Sequence, residues 1–116
     1  AVKVLSGELS AETIEQEKES GAIIDRAIQD DAIRMHYEEV KKGDVALVLN
    51  FTKKGVINYI GGNALMEMGF AHVLEKKIFL YNPIPEMMYT EEIREMQPII
   101  LHGDLNKIIC PKNEKL

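Results

Sequence analysis

Apolar residues fall in short, near-continuous runs along this chain, the pattern of strands covered on both faces. Residues 45–49 (Val-Ala-Leu-Val-Leu) form the clearest run. Residues 77–81 form a second, 99–101 a third, and 2–5 a weaker one ended by Ser6-Gly7. Between the runs the spacing turns helical. Ile28, Ala32, Met35 and Val40 predict a helix over residues 25–42, with Lys41 and Lys42 at the negative end of its dipole before Gly43. Asn63 is expected to cap a helix reaching about residue 75, Thr90 a short helix reaching about residue 97, and residues 105–109 a final turn. Ser10 is a suitable cap for a polar helix over residues 11–20 with Gly21 as its stop; Ile14 is the one large apolar residue in that stretch.

Residues 45–81 therefore read as strand, loop, helix, strand, and a crossover of that length predicts parallel strands joined with a right-handed turn. Parallel sheets place ligands beyond the carboxyl ends of their strands, which points at residues 50–63 and 82–88. The expected fold is one α/β domain over residues 1–116, with a mostly parallel sheet and helices on both of its faces. A doubly wound nucleotide-binding domain ordinarily opens with a buried strand and a Gly- or Ser-bearing loop; the weak strand and polar helix here read as an incomplete first βα unit.

Composition narrows the partners. A net charge of −5 with 14 scattered Lys and Arg argues against nucleic acid or an anionic membrane as the main partner. The single cysteine, Cys110, allows no internal disulfide framework and fits a reducing compartment. No apolar run approaches bilayer length, and no signal peptide is visible, so the cytoplasm is the expected location. His36, His72 and His102 lack metal-ligand spacing, so neither a metal nor another cofactor is expected.

The sharpest chemical feature is the stretch Tyr59-Ile60-Gly61-Gly62-Asn63-Ala64-Leu65-Met66-Glu67-Met68-Gly69-Phe70-Ala71. Paired glycines before a helix allow close backbone approach and leave amides free for a phosphate, carboxylate or sugar hydroxyl. A Gly-Gly-Asn helix entry is also an ordinary helix start. Glu67 is the only charged residue between Lys54 and Glu75. Two readings stay open for it: a solvated glutamate on a stripe with Asn63 and Glu75, or a carboxylate turned toward the sheet and available as a nucleophile.

Residues 44–50 (Asp-Val-Ala-Leu-Val-Leu-Asn), the glycine-bearing loop, Glu67-Met68-Gly69-Phe70-Ala71 and Lys76-Lys77-Ile78-Phe79-Leu80 together resemble the nucleoside 2-deoxyribosyltransferase superfamily, which includes the 2′-deoxynucleoside 5′-phosphate N-hydrolases. The resemblance covers about residues 35–85. It implies a three-layer, Rossmann- or flavodoxin-like domain that cleaves an N-glycosidic bond. Glu67 would attack the anomeric carbon to give a glycosyl-enzyme ester, later resolved by water or a second base. An acid group must also serve the departing base. The family has an aspartate eight residues before the strand-leading Asp44, and this chain has His36 there; it often has Asp or Ser six residues before the nucleophile, and this chain has Gly61. His36 is the candidate acid because imidazole titrates near neutrality, although a histidine beside Tyr37 is more commonly a packed or surface residue. Asn50, Gly61, Gly62 and Asn63 are the candidate substrate-binding residues. The resemblance also implies a dimer or higher homo-oligomer. Residues 82–89, with two prolines, form a stiff flap that lines the pocket or meets a second subunit.

Three functions remain open on the sequence: an N-glycosidase or deoxyribosyltransferase acting on a nucleoside or nucleotide, a non-catalytic nucleotide-binding or sensing module, and a ligand-free structural oligomer.

Overall fold

A computed structural model describes residues 2–4, 28 and 31–109. The polar helix expected at residues 11–20, its Ser10 and Gly21 boundaries, the first residues of the 25–42 helix, and Cys110 lie outside them. Four strands, β1 (Val2–Val4), β2 (Val45–Val48), β3 (Lys77–Leu80) and β4 (Ile99–Ile100), form a parallel sheet in the order β1-β2-β3-β4. The register pairs Val2 with Val45, Val45 with Lys77, and Phe79 with Ile99. Three described helices connect or flank them: α1 (Ala32–Lys42), α2 (Gly62–Val73) and α3 (Thr90–Glu95), followed by a 3-10 turn at Leu105–Lys107.

The apolar runs of β2 and β3 become buried strands because both sheet faces are covered there. On one face Ala46, Val48, Ile78 and Leu80 pack with Val40 of α1, Met68 and Ala71 of α2, and Ile93 of α3. On the other, Val45, Leu47 and Phe79 pack with Leu101, and Leu49 and Ile108 close around them. All three described helices thus contribute to one face. A sheet whose strands follow in sequential order with crossovers of one hand has this consequence. The expectation of an α/β fold on a parallel sheet holds.

Several boundaries moved for physical reasons. Helix α1 begins after Asp31, whose left-handed backbone (φ 52°) breaks any continuous helix from residue 25. Its inward face is Val40 with Tyr37, whose ring meets Phe70 of α2 edge-on at 5.5 Å and 88°; Ile28 and Met35, whose spacing with Val40 predicted the helix, are exposed. Helix α2 begins at Gly62 with Gly61 as N-cap, so Asn63 lies in the first turn and caps nothing. Thr90 is the first residue of α3 and turns its hydroxyl back to the preceding loop, bonding the Pro85 carbonyl at 2.8 Å and the Met87 amide at 2.7 Å.

Helix α2 closes in a Schellman-type turn, with the Lys76 amide on the Ala71 carbonyl at 2.9 Å and the Glu75 amide on the His72 carbonyl at 3.0 Å. The left-handed position this requires is held by Glu75, at φ 60°. Relief of that strain outweighs the added freedom of glycine in the unfolded chain. Glu75→Gly is therefore expected to raise the unfolding free energy by about 0.5–1 kcal/mol in urea titrations; a loss of stability would contradict it.

Candidate functional site

Because all strands run in parallel, the loops after β2, β3 and β4 gather at one rim of the sheet, and α2 starts at that rim and runs back along it. Gly61 and Gly62 form the entry. The Gly61 carbonyl accepts the Leu65 amide at 2.9 Å, opening the helical ladder. A side chain at Gly61 would press on the Tyr59 ring at 3.3 Å, whereas one at Gly62 would meet no neighbouring atom within 4 Å. Close packing therefore favours glycine at the first position and not at the second. Asn63 is exposed beside them.

Glu67 is five residues past Gly62, about 8 Å down the helix axis at 1.5 Å per residue. It is buried, at 7% exposure, and turned to α1, where its Oε1 lies 3.3 Å from Nδ1 of His36. His36 remains 47% exposed along its side chain. The carboxylate so placed lies in the seam between two helices, next to the Tyr37–Phe70 contact, and not on the solvent face that Asn63 and Glu75 occupy. A carboxylate taken this far out of water requires charged or hydrogen-bonding partners. The imidazole is one of them: it neutralises the carboxylate when protonated and, when neutral, can face it only as a donor, through the Nδ1–H tautomer.

Asn50 has a different position. Its side chain is fully buried, at 0% exposure. Its Nδ2 donates to the carbonyls of Asn82 (2.8 Å) and Pro83 (3.1 Å), and its Oδ1 accepts the Asn82 amide (2.8 Å). Asn82 Nδ2 returns a bond to the Asn50 carbonyl at 3.1 Å. Asn50 thus clamps the loop after β2 to the loop after β3, with both amide hydrogens engaged.

The structure accordingly brings Glu67 to His36, and Gly61, Gly62 and Asn63 to the helix entry, while Asn50 joins the two strand-end loops. Reasoning from sequence placed Asn82 and Tyr89 in the flap and Thr90 at a helix cap, but missed the bonds by which these three residues hold the rim together. A signal existed for the first, since Asn50 and Asn82 each stand two residues beyond the end of adjacent strands. Tyr89 donates its hydroxyl to the Ile60 carbonyl, tying the proline-bearing loop to the glycine entry. Burial raises the Tyr89 phenol above its ordinary value of 10.0, and the neighbouring Tyr59 phenol adds to the shift.

A phenol harder to ionise in the folded state contributes stability that is intact below pH 10.0 and is lost as pH rises through the folded value. Tyr89→Phe is expected to cost about 1–2 kcal/mol at neutral pH, because the Ile60 carbonyl loses its partner. It is also expected to weaken the loss of melting temperature above pH 10.0, relative to wild type. An unchanged alkaline slope would show that Tyr89 carries none of it.

Among the described residues, no group of three His, Cys, Asp or Glu side chains is placed to hold a metal ion. No described helix is long and apolar enough to cross a membrane. A depression lined by His72, Lys76, Met96 and Gln97 lies at the amino ends of β3 and β4, away from this rim; the Lys76 ammonium there is held by the Gly43 carbonyl at 2.6 Å. No family model matches the chain, and no curated protein or solved structure matches it.

Proposed function

We propose that this protein is a nucleoside or nucleotide N-glycosidase or deoxyribosyltransferase with Glu67 as nucleophile. The observation that carries the reading is the burial of Glu67 in the α1–α2 seam with an imidazole 3.3 Å from its oxygen. In the first step a Glu67 oxygen bonds to the anomeric carbon as the glycosidic C–N bond breaks; the bonding pair leaves with the base, which takes a proton from His36. In the second step water adds to the same carbon, its proton passing to the His36 imidazole, as the ester C–O bond breaks and frees the Glu67 carboxylate and the sugar; a second base takes water's place in transfer. A carboxylate buried to this extent stabilises the oxocarbenium-like transition state more strongly than a fully solvated one does. Gly61 and Gly62 offer amides at the helix entry for a hydroxyl or phosphate of the sugar.

The reading includes a three-layer domain, and the burial of Val45, Leu47 and Phe79 supports a second layer over that face. It places the protein in the cytoplasm as a homo-oligomer, for which the single cysteine and the exposed Ile33 and Met35 of α1 are the support.

A second reading, a non-catalytic nucleotide-binding or sensing module, is favoured by the depth of Glu67 below the rim and by the full engagement of the Asn50 amide hydrogens. The test is incubation with 2′-deoxynucleosides and their 5′-monophosphates, with free base followed by chromatography and binding by calorimetry. Base release supports the enzyme. Binding without release selects the module, and neither outcome would leave both readings without support.

A further inference from the structure

The loops at the carboxyl rim carry an aromatic pair that the chemistry of Glu67 does not use. Phe51 and Tyr81 follow adjacent strands, and their rings meet edge to face with centroids 5.3 Å apart and planes at 72°. Their backbones are pinned. The Phe51 amide bonds the Leu49 carbonyl at 3.0 Å, the Tyr81 amide bonds the Val48 carbonyl at 3.0 Å, and the Gly103 amide bonds the Tyr81 carbonyl at 2.8 Å.

An aromatic ring has two faces, and an edge-to-face contact covers at most one of them. Phe51 is 54% exposed while so held, so a broad part of the ring stays open to solvent. A half-exposed phenylalanine on a pinned backbone, at the rim where parallel sheets bind ligands, is a pre-ordered stacking surface. The geometry points to Phe51, backed by Tyr81, as a shelf on which a planar heteroaromatic ring stacks. The inference rests on the nucleoside reading for the kind of ring, a nucleobase, and not for the existence of the shelf.

The test is calorimetric titration of the whole chain with deoxyadenosine and deoxycytidine 5′-monophosphates and with free adenine. Phe51→Ala is expected to weaken binding about tenfold or more, the usual effect of losing one base–aromatic stack. Phe51→Tyr and Val73→Ala, the latter removing another exposed apolar side chain at the far end of α2, are expected to stay within about twofold of wild type on the same reasoning. Wild-type affinity in Phe51→Ala, an equal loss in Val73→Ala, or no binding of any probe by the wild type would overturn the shelf. Should Phe51→Ala fail to fold, nuclear Overhauser contacts between the Phe51 ring and ligand base protons in the wild type decide: their presence supports the shelf and their absence at saturation overturns it. The two proposals fail separately. Base release that persists with unchanged KM in Phe51→Ala sinks the shelf alone, and ring binding at Phe51 without base release sinks the glycosidase alone.

Discussion

Glu67→Gln is expected to lower base release from the preferred deoxynucleoside or nucleotide by ~10³-fold or more, the scale on which loss of a nucleophile acts. The amide keeps the size of the side chain and a hydrogen-bonding group toward His36, so substrate binding should change only a few-fold. The loss should therefore fall on kcat and not on KM. Glu67→Ala should be equally inactive, but it leaves a gap in the α1–α2 seam. A small anion such as azide or formate, added in excess, is expected to enter that gap, attack the anomeric carbon and restore part of the turnover. The sugar product would then carry the configuration opposite to that given by the wild type. Full activity in either variant would end the nucleophile proposal, whatever the fate of the fold. His36→Ala provides a further division: if the imidazole delivers the proton, substrates with poor leaving bases should suffer more than those with good ones.

The strands were legible because burial on both faces leaves a direct mark on sequence: the run at residues 45–49 needs apolar side chains in every position, and β2 buries all of its residues. The parallel sense followed from the length of the crossover. What periodicity could not decide was which side of a helix faces the sheet. In α1, Met35 and Tyr37 lie on different sides, and the packing of Tyr37 against Phe70 turns Met35 outward. The same limit applied to Glu67. A lone glutamate is ordinarily solvated, and α2 is apolar on several sides, so its sequence gives no single inward direction. The orientation is set by α1, which packs alongside and presents His36. Asn63 failed as a cap because a diglycine permits the helix to begin two residues earlier, at Gly62 with Gly61 as N-cap. Links between loops, such as Asn50 to Asn82 and Tyr89 to Ile60, bridge 32 and 29 residues and leave no periodic trace.

Those long-range links make Asn50 the residue whose loss should cost the fold most among the rim positions. Asn50→Ala removes three side-chain hydrogen bonds at a site with 0% exposure. It also leaves the Asn82 amide and the Asn82 and Pro83 carbonyls without those partners, next to a small void. At about 1 kcal/mol for each bond, plus the penalty for stranded polar groups, the expected loss is about 3–4 kcal/mol in urea titrations. On a domain of this size that lowers the melting temperature by roughly 10 °C or more. Asn50→Asp offers a sharper probe. Its oxygen still accepts the Asn82 amide, but the second oxygen faces two carbonyl oxygens where Nδ2 had donated to both. The aspartate should therefore cost at least as much as alanine at neutral pH, although it is closer in shape. If Asn50→Asp were as stable as wild type, the amide would not be the clamp. The loops after β2 and β3 would then have to be fixed by the Tyr89 and Thr90 contacts alone, and Tyr89→Phe would have to show the larger loss.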